Sequence, residues 1–112
     1  YGNIVMDSTD VIKCLSALAQ ETRLQIFRAL VVAGPQGLTP SLLAEQLGLA
    51  AATLSFHLKE LSHAGLITQR RESRNLHYSA SFGQMNQLLS FLTENCCAGQ
   101  PCATEVTNPC DC

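Results

Sequence analysis

The sequence lacks long apolar runs, and its longest stretches, such as Leu30 to Ala33, are far too short to cross a bilayer. It also lacks a basic-then-apolar leader that ends in small residues at a cleavage site. We therefore expect neither membrane insertion nor export, and the sequence predicts a soluble cytoplasmic protein. A length of 112 residues suits one modest hydrophobic core.

The motifs of common enzymes are missing as well. The sequence has no C-x-x-C before a helix in a strand-helix-strand pattern, no phosphate-binding loop and no carboxylate pair. No two of His57, His63 and His77 are four residues apart, and none has cysteine or carboxylate neighbours at zinc-motif spacing. We predict no enzymatic activity and no catalytic cofactor. A small thiol-dependent enzyme, acting on arsenicals or in redox chemistry through Cys96 and Cys97, is the alternative.

Basic residues are scarce and unevenly placed. The formal net charge of −2 argues by itself against a nucleic-acid partner. Between Thr53 and His77, however, four basic residues stand against Glu60 and Glu72, and no basic residue follows Phe82. The four are Lys59, Arg70, Arg71 and Arg74. The middle of the chain can therefore face phosphate while its ends face something else.

Apolar residues recur at helical spacing in the first third of the chain. Ser8 or Thr9 is predicted to cap a first helix that continues to Ala19. A second helix is predicted from about Glu21 to Val32, because Gly34-Pro35 cannot continue it. Its predicted inner face consists of Leu24, Phe27, Leu30 and Val31.

Two further helices follow at close spacing. Thr39-Pro40 is an N-cap followed by proline at the first helical position, which predicts a short third helix that ends at Gly48. A fourth helix is predicted from about Ala51 to Ala64, ending on Gly65. It buries Leu54, Leu58 and Leu61. Two short helices joined by a tight glycine turn form a helix-turn-helix.

After Leu66 the apolar period changes to two. Residues 66–72 and 76–80 flank a polar turn and predict a β-hairpin, or wing. Ser81 is predicted to cap a last helix through Asn95, whose apolar band is wider than one small core needs. Together with the first helix, this band predicts a dimer surface. The predicted fold class is mainly α (α+β): a homodimeric winged helix-turn-helix of five helices and a two-stranded hairpin, with residues 1–95 forming the domain and 96–112 an irregular tail.

The fourth helix and the hairpin carry residues suited to DNA. A recognition helix presents polar side chains to base edges, and its flanking elements supply donors to phosphate. The candidates on the helix, which lie off its leucine stripe, are Thr53, Ser55, His57 and Lys59. The candidates at the wing tip, suited to phosphate or to the minor groove, are Arg70, Arg71, Arg74 and Asn75. His63 and His77 are interpreted as surface residues.

Two stretches resemble the ArsR/SmtB family of metal-sensing repressors. They are residues 54–67, LSFHLKELSHAGLI, and residues 15–24, LSALAQETRL. The likeness extends over roughly Val11 to Leu92. It implies a homodimeric winged helix fold that dimerises through its first and last helices and binds double-stranded operator DNA. It also implies that the four polar residues of the fourth helix contact that DNA.

Five of the six cysteines fall in the last seventeen residues. Clustered thiols in a cytosolic protein bind metals or act in redox chemistry more often than they form structural disulfides. Cys96 and Cys97 can reach one ion from a helix end, and Gly99 and Pro101 let Cys102 return to it. Three thiolates select a soft ion. We therefore predict a three-cysteine site for arsenite or antimonite, As(III) or Sb(III), acting as inducer.

The sequence constrains the roles of the remaining cysteines and the identity of the ion less closely. Cys14 is interpreted as a small buried apolar residue, and Cys110 and Cys112 are not assigned to the site. Many arsenic-responsive family members carry cysteines in the third helix, where this chain has none, and the last helix lacks the ligands of zinc-responsive members. Cadmium, lead, zinc and thiol oxidation therefore stay open as alternative signals.

Overall fold

A computed structural model describes residues 6–99, which contain five α-helices and one two-stranded antiparallel sheet. The helices and strands are α1 (Ser8–Leu18), α2 (Glu21–Ala33), α3 (Pro40–Leu47), α4 (Ala51–His63), β1 (Ile67–Glu72), β2 (Asn75–Ala80) and α5 (Phe82–Leu92). A turn, Cys96–Gly99, follows α5, and Cys97 and Ala98 within it have left-handed backbone conformations. This order of elements confirms the predicted winged helix-turn-helix. No helix in this part of the chain combines the length and apolar character needed to cross a membrane.

Local capping chemistry sets the ends of most helices. The prediction for α1 was wrong: Asp7, rather than Ser8 or Thr9, is its N-cap, and the Asp7 carboxylate accepts a hydrogen bond from the backbone N–H of Asp10 at 2.9 Å. The predicted cap of α3 is confirmed, because the Thr39 hydroxyl accepts from the backbone of Leu42. These bonds satisfy N–H groups that the helices cannot pair internally.

The last helix is shorter than predicted. It ends at Leu92 instead of Asn95, and the Thr93 hydroxyl donates to the carbonyl oxygen of Leu89 at 2.9 Å. Asn95 and Cys97 have φ angles of 57° and 56°, in the left-handed region that an α-helix cannot contain. The two adjacent cysteines therefore lie in a turn after α5 rather than on the helix.

The hydrophobic core lies where α1, α2 and α4 meet the base of the hairpin. Its largest fully buried side chains are Cys14, Ile26, Leu30, Leu43, Leu54, Leu61 and Leu66. The predicted inner face of α2 was partly wrong, because Ile26 is fully buried whereas Leu24 is 44% exposed. The physical reason is that α2 has two apolar sides. Ile26 belongs to the core together with Phe27 and Leu30, which were predicted correctly. Leu24 and Val31 instead line a groove shared with α5.

The hairpin is fastened to the helical part by a short bridge. Leu38, between α2 and α3, exchanges two backbone hydrogen bonds of 2.9 Å with Tyr78 of β2. The preceding Gly37 has a φ of +72°, and a Cβ atom there would lie 2.8 Å from the carbonyl carbon of Tyr78. The backbones approach closely at this point only because residue 37 has no side chain. The bridge holds the base of the wing against the helix-turn-helix.

Apolar side chains remain exposed on the two terminal helices. On α1, Ile12 is 62% exposed, and on α5 Leu89 and Leu92 are more than half exposed. A groove of about 320 Å³ runs between α1, α2 and α5, and its lining is almost entirely apolar. Groups of exposed apolar side chains are unusual on a monomeric surface and are typical of an interface.

Candidate nucleic-acid interface

The fourth helix presents one buried and one exposed face. Leu54, Leu58 and Leu61 are buried, as predicted, and pack against the rest of the domain. Thr53, Ser55 and Lys59 are exposed, so their polar groups are available to a partner outside the domain. The N-cap of α4 is Ala50, which supplies no side-chain hydrogen bond. The first backbone N–H groups of α4 are therefore open to an acceptor such as a phosphate oxygen.

The structure differs from the prediction at His57, which does not lie off the buried stripe. Its side chain is buried, with 9% of the residue exposed, and its Nδ1 lies 3.3 Å from Nη1 of Arg23. Because arginine can only donate, Nδ1 accepts and the ring proton resides on Nε2. Arg23 also donates from Nε to the carbonyl oxygen of Ala17 at 2.7 Å. His57 thus connects α4 to α2 and the end of α1, instead of facing outward.

Sequence reasoning also missed Phe56, the neighbour of His57. This residue is 55% exposed although it has the largest apolar side chain on α4. It contacts the imidazole of His57 edge-on, with 5.1 Å between ring centroids. An apolar residue beside a leucine stripe is normally assigned to the core, and a histidine to the surface. One signal in the sequence could have indicated that residue 57 is buried. It lies three positions from Leu54 and four from Leu61, which is the spacing of residues on one face of a helix.

A shallow cleft separates the exposed face of α4 from the hairpin. It is lined by Ser55, Phe56, Lys59, Ser62, His63, Gln69 and Tyr78. Gln69 and Tyr78 are paired across the two strands. Because side chains alternate along a strand, Arg71 lies on the same face of the hairpin as Gln69, whereas Arg70 lies on the opposite face. The hairpin and the helix therefore present polar and basic groups on one side of the domain.

The basic residues of the wing are all exposed, but they have different partners. Arg70 Nη2 lies 3.4 Å from Oε1 of Glu72, and His77 Nε2 lies 3.7 Å from the same oxygen. Arg71 and Arg74 form no ion pair within residues 6–99. Asn75, at the start of β2, is exposed as well. Among the wing cations in the described part of the chain, Arg71 and Arg74 therefore have no carboxylate that competes with a phosphate for them.

We predict that Arg71→Ala and Arg74→Ala each weaken binding to all duplex sequences, because each removes one phosphate contact. The slope of log K against log salt should fall in magnitude by about 1 for each arginine lost. Arg70→Ala is the matched control and should have a smaller effect, since Glu72 already neutralises this side chain. Ser55→Ala should instead change sequence preference. Fluorescence anisotropy at several salt concentrations measures both quantities, and equal, salt-independent losses in all four variants would contradict this division of roles.

The structure places the first two predicted ion ligands side by side. Cys96 and Cys97 are exposed, and their sulfur atoms lie 3.7 Å apart. Two thiolates that bind one ion tetrahedrally through bonds of about 2.3 Å lie about 3.8 Å apart, so the pair fits a single soft ion. The third predicted ligand, Cys102, lies outside the described residues, as do Cys110 and Cys112. Within residues 6–99, no group of three candidate ligands comes together.

The remaining cysteine, Cys14, belongs to a buried junction of three helices. It is fully buried, and its thiol lies 3.5 Å from the carbonyl oxygen of Ala64, the C-cap of α4. Gln84 of α5 donates from Nε2 to the same carbonyl at 3.2 Å and lies 3.5 Å from the thiol. One amide group therefore joins the start of α5 to the end of α4 and to α1.

Comparison with known proteins agrees with this arrangement. A family described as a helix-turn-helix domain matches residues 18–70, which include all of α2, α3 and α4. The chain is 32% identical over 80 residues to the nodulation protein NolR of Rhizobium meliloti. That match covers 71% of this chain but only 63% of NolR, so the chain spans less than two thirds of this relative.

Solved structures resemble the chain over most of its described length. An ArsR-like transcriptional regulator from Rhodococcus sp. RHA1 is 26% identical, with a TM-score of 0.68, and the match covers 75% of this chain and 76% of the regulator. HlyU from Vibrio cholerae N16961 is 31% identical, with a TM-score of 0.62 and coverages of 76% and 92%. A possible transcriptional regulator for arsenical resistance is 28% identical, with a TM-score of 0.62 and coverages of 71% and 80%.

Proposed function

Because the chain belongs to the ArsR/SmtB family of winged helix transcriptional regulators, we propose that it is a repressor controlled by arsenite or antimonite. It binds operator DNA as a homodimer and releases it when the ion binds Cys96, Cys97 and Cys102. The observation that carries the proposal is the pair of adjacent thiols, 3.7 Å apart, just after α5. The chain is a regulator and not an enzyme, since its relatives are transcriptional regulators.

The exposed face of α4 and the hairpin support DNA as the partner. Thr53, Ser55 and Lys59 supply hydrogen-bonding groups of the kinds that contact base edges and phosphates in the major groove. Arg71 and Arg74 supply cations at the wing. His57 acts differently from the sequence interpretation. It positions α4 through its hydrogen bond with Arg23, and the exposed residues beside it contact the bases.

The exposed apolar residues on α1 and α5 support a homodimer. Ile12, Leu15, Leu89 and Leu92 would cost free energy if they stayed in water, and a second copy of the same surfaces would bury them. A dimer of helix-turn-helix units places two recognition helices about one helical turn of DNA apart, about 34 Å. The apolar surfaces and the recognition helices therefore belong to one assembly.

The chemistry of the thiols supports a thiophilic signal. Two sulfur atoms at this separation fit one soft ion, and a third thiolate completes the coordination that trivalent arsenic and antimony require. The turn that holds them begins four residues after the last residue of α5, and α5 is part of the proposed dimer surface. Ion binding can then change how α5 packs between the protomers and how the recognition helices are spaced. A coupling of about 1 to 3 kcal/mol, reciprocal between ion and DNA, weakens operator binding by roughly 5-fold to 150-fold.

An anisotropy titration tests the proposal. The reduced full-length protein is first used to select duplexes from a random-sequence DNA pool, and a labelled selected duplex is then titrated with arsenite. We expect the protein to release the duplex as arsenite is added. A winged helix regulator without cysteines serves as the control and should stay bound to DNA at the same arsenite concentration. Zinc, cadmium, lead and the thiol oxidant diamide are tested in parallel arms. Release by one of these and not by arsenite would contradict the assignment of the ion, and failure to enrich any duplex would contradict DNA recognition itself.

A further inference from the structure

Phe56 lies at the centre of the exposed face of α4. At 100° per residue, its Cβ direction falls between those of Thr53 and Lys59, and it points away from the face formed by Leu54 and Leu58. Among residues 6–99, eight large apolar side chains are notably exposed, and Phe56 is the only one of them on α4. The other seven lie on α1, α2, α3 and α5. The dimer surfaces on α1 and α5 therefore do not explain its exposure.

The ring of Phe56 is supported from one side. It contacts the buried imidazole of His57 at an interplanar angle of 65°. The imidazole is in turn held by Arg23, whose guanidinium also bonds to the carbonyl of Ala17. A side chain that rests on a fixed neighbour loses less conformational freedom on binding than one that is unsupported. Phe56 is thus an apolar group whose ring is already supported before a partner binds, on a surface otherwise lined by Ser55, Lys59 and other polar residues.

The partner of such a group follows from the chemistry of the major groove. The unmodified bases offer hydrogen-bond donors and acceptors there, and only thymine offers an apolar group, its 5-methyl. We propose that Phe56 is a specificity-determining residue that contacts thymine methyl groups in the operator. This inference rests on the proposed function, because it requires α4 to lie in the major groove. It adds a class of base contact that the polar residues of α4 cannot make.

The test removes the methyl group from the DNA and, in a second step, the ring from the protein. Each thymine of the selected duplex is replaced in turn by deoxyuridine, which pairs identically but carries hydrogen at C5. At one or more positions, the parent protein should lose affinity by about threefold to fivefold, the effect expected for burying one methyl-sized group. Phe56→Ala should bind the thymine and deoxyuridine duplexes equally well. Phe56→Leu should keep part of the preference.

Val32→Ala is the matched control, because Val32 is an exposed apolar residue on α2, away from the cleft. It should keep the full preference of the parent for thymine. The proposal would be overturned if the parent bound every deoxyuridine duplex as tightly as the thymine duplex. Undiminished preference in Phe56→Ala, or a selected half-site without thymine, would also overturn it. Failure of the DNA recognition on which this inference rests is distinguishable, since the pool would then yield no selected duplex.

Discussion

Serine in place of Cys96, Cys97 or Cys102 is expected to leave operator binding intact and to abolish arsenite-induced release. The replacement exchanges a soft thiolate for a hard hydroxyl at almost unchanged volume. Cys96 and Cys97 are exposed and lie outside α4 and the hairpin, so neither the core nor the DNA-contacting face changes. Two remaining thiolates can still hold the ion, but more weakly, and the coupling to α5 requires all three bonds.

Anisotropy titrations of labelled operator against arsenite measure this effect. Each of the three variants should stay bound to the operator at arsenite concentrations at least tenfold above the parent's midpoint. Cys110→Ser and Cys112→Ser serve as matched controls in the same terminal segment and should respond as the parent does. The three-cysteine site would be wrong if the Cys102 variant released DNA at the parent's midpoint, or if either control variant failed to respond.

Alanine at position 37 is expected to destabilise the protein by about 3 kcal/mol or more. The backbone there has a φ of +72°, which alone costs a non-glycine residue about 1 kcal/mol or more. The added Cβ would also meet the backbone carbonyl of Tyr78, which is held in place by its bridge to Leu38. Backbone cannot give way as a flexible side chain can, so the bridge would break and the base of the wing would move.

Gly48→Ala separates the two causes. Gly48 has a φ of +65° in the left-handed region, and a Cβ atom there meets no heavy atom within 4 Å. This variant should therefore lose stability through its backbone conformation alone. Urea unfolding followed by circular dichroism gives the free energy of unfolding of each variant. If Gly37→Ala were no less stable than Gly48→Ala, the close approach at Tyr78 would not matter for stability.

Patterns that depend on neighbouring residues were predictable from the sequence. Thr39-Pro40 and Gly48 mark the limits of α3, because capping and left-handed backbone are local properties. The hairpin was predicted from the change to a period of two in the apolar residues after Leu66, and this alternation is also a local property. The buried leucine stripe of α4 also followed from its spacing. Each of these features requires only residues within about one turn of helix or one strand pair.

Features that depend on distant contacts were not predictable. His57 was assigned to the surface because it is polar, and its burial depends on Arg23, which is 34 residues away in the sequence. Leu24 was assigned to the core because α2 is apolar on two sides, and only the packing shows which side faces α4. The burial of His57 beside an exposed Phe56 is the clearest case. Departures of this kind from the hydrophobic pattern are expected at functional surfaces.

The hydrogen bond from Gln84 to the carbonyl of Ala64 anchors α5 near its start, so the helix can pivot about this point. Eight residues separate Gln84 from Leu92, the last residue of α5, which corresponds to about 12 Å along the helix. A rotation of about 10° around the anchored end would displace the other end by about 2 Å. The anchored end keeps its register with α4, so this displacement appears at the end that carries the thiols. In the proposed homodimer, each winged helix unit can then move as a rigid body, and the distance between the two units changes.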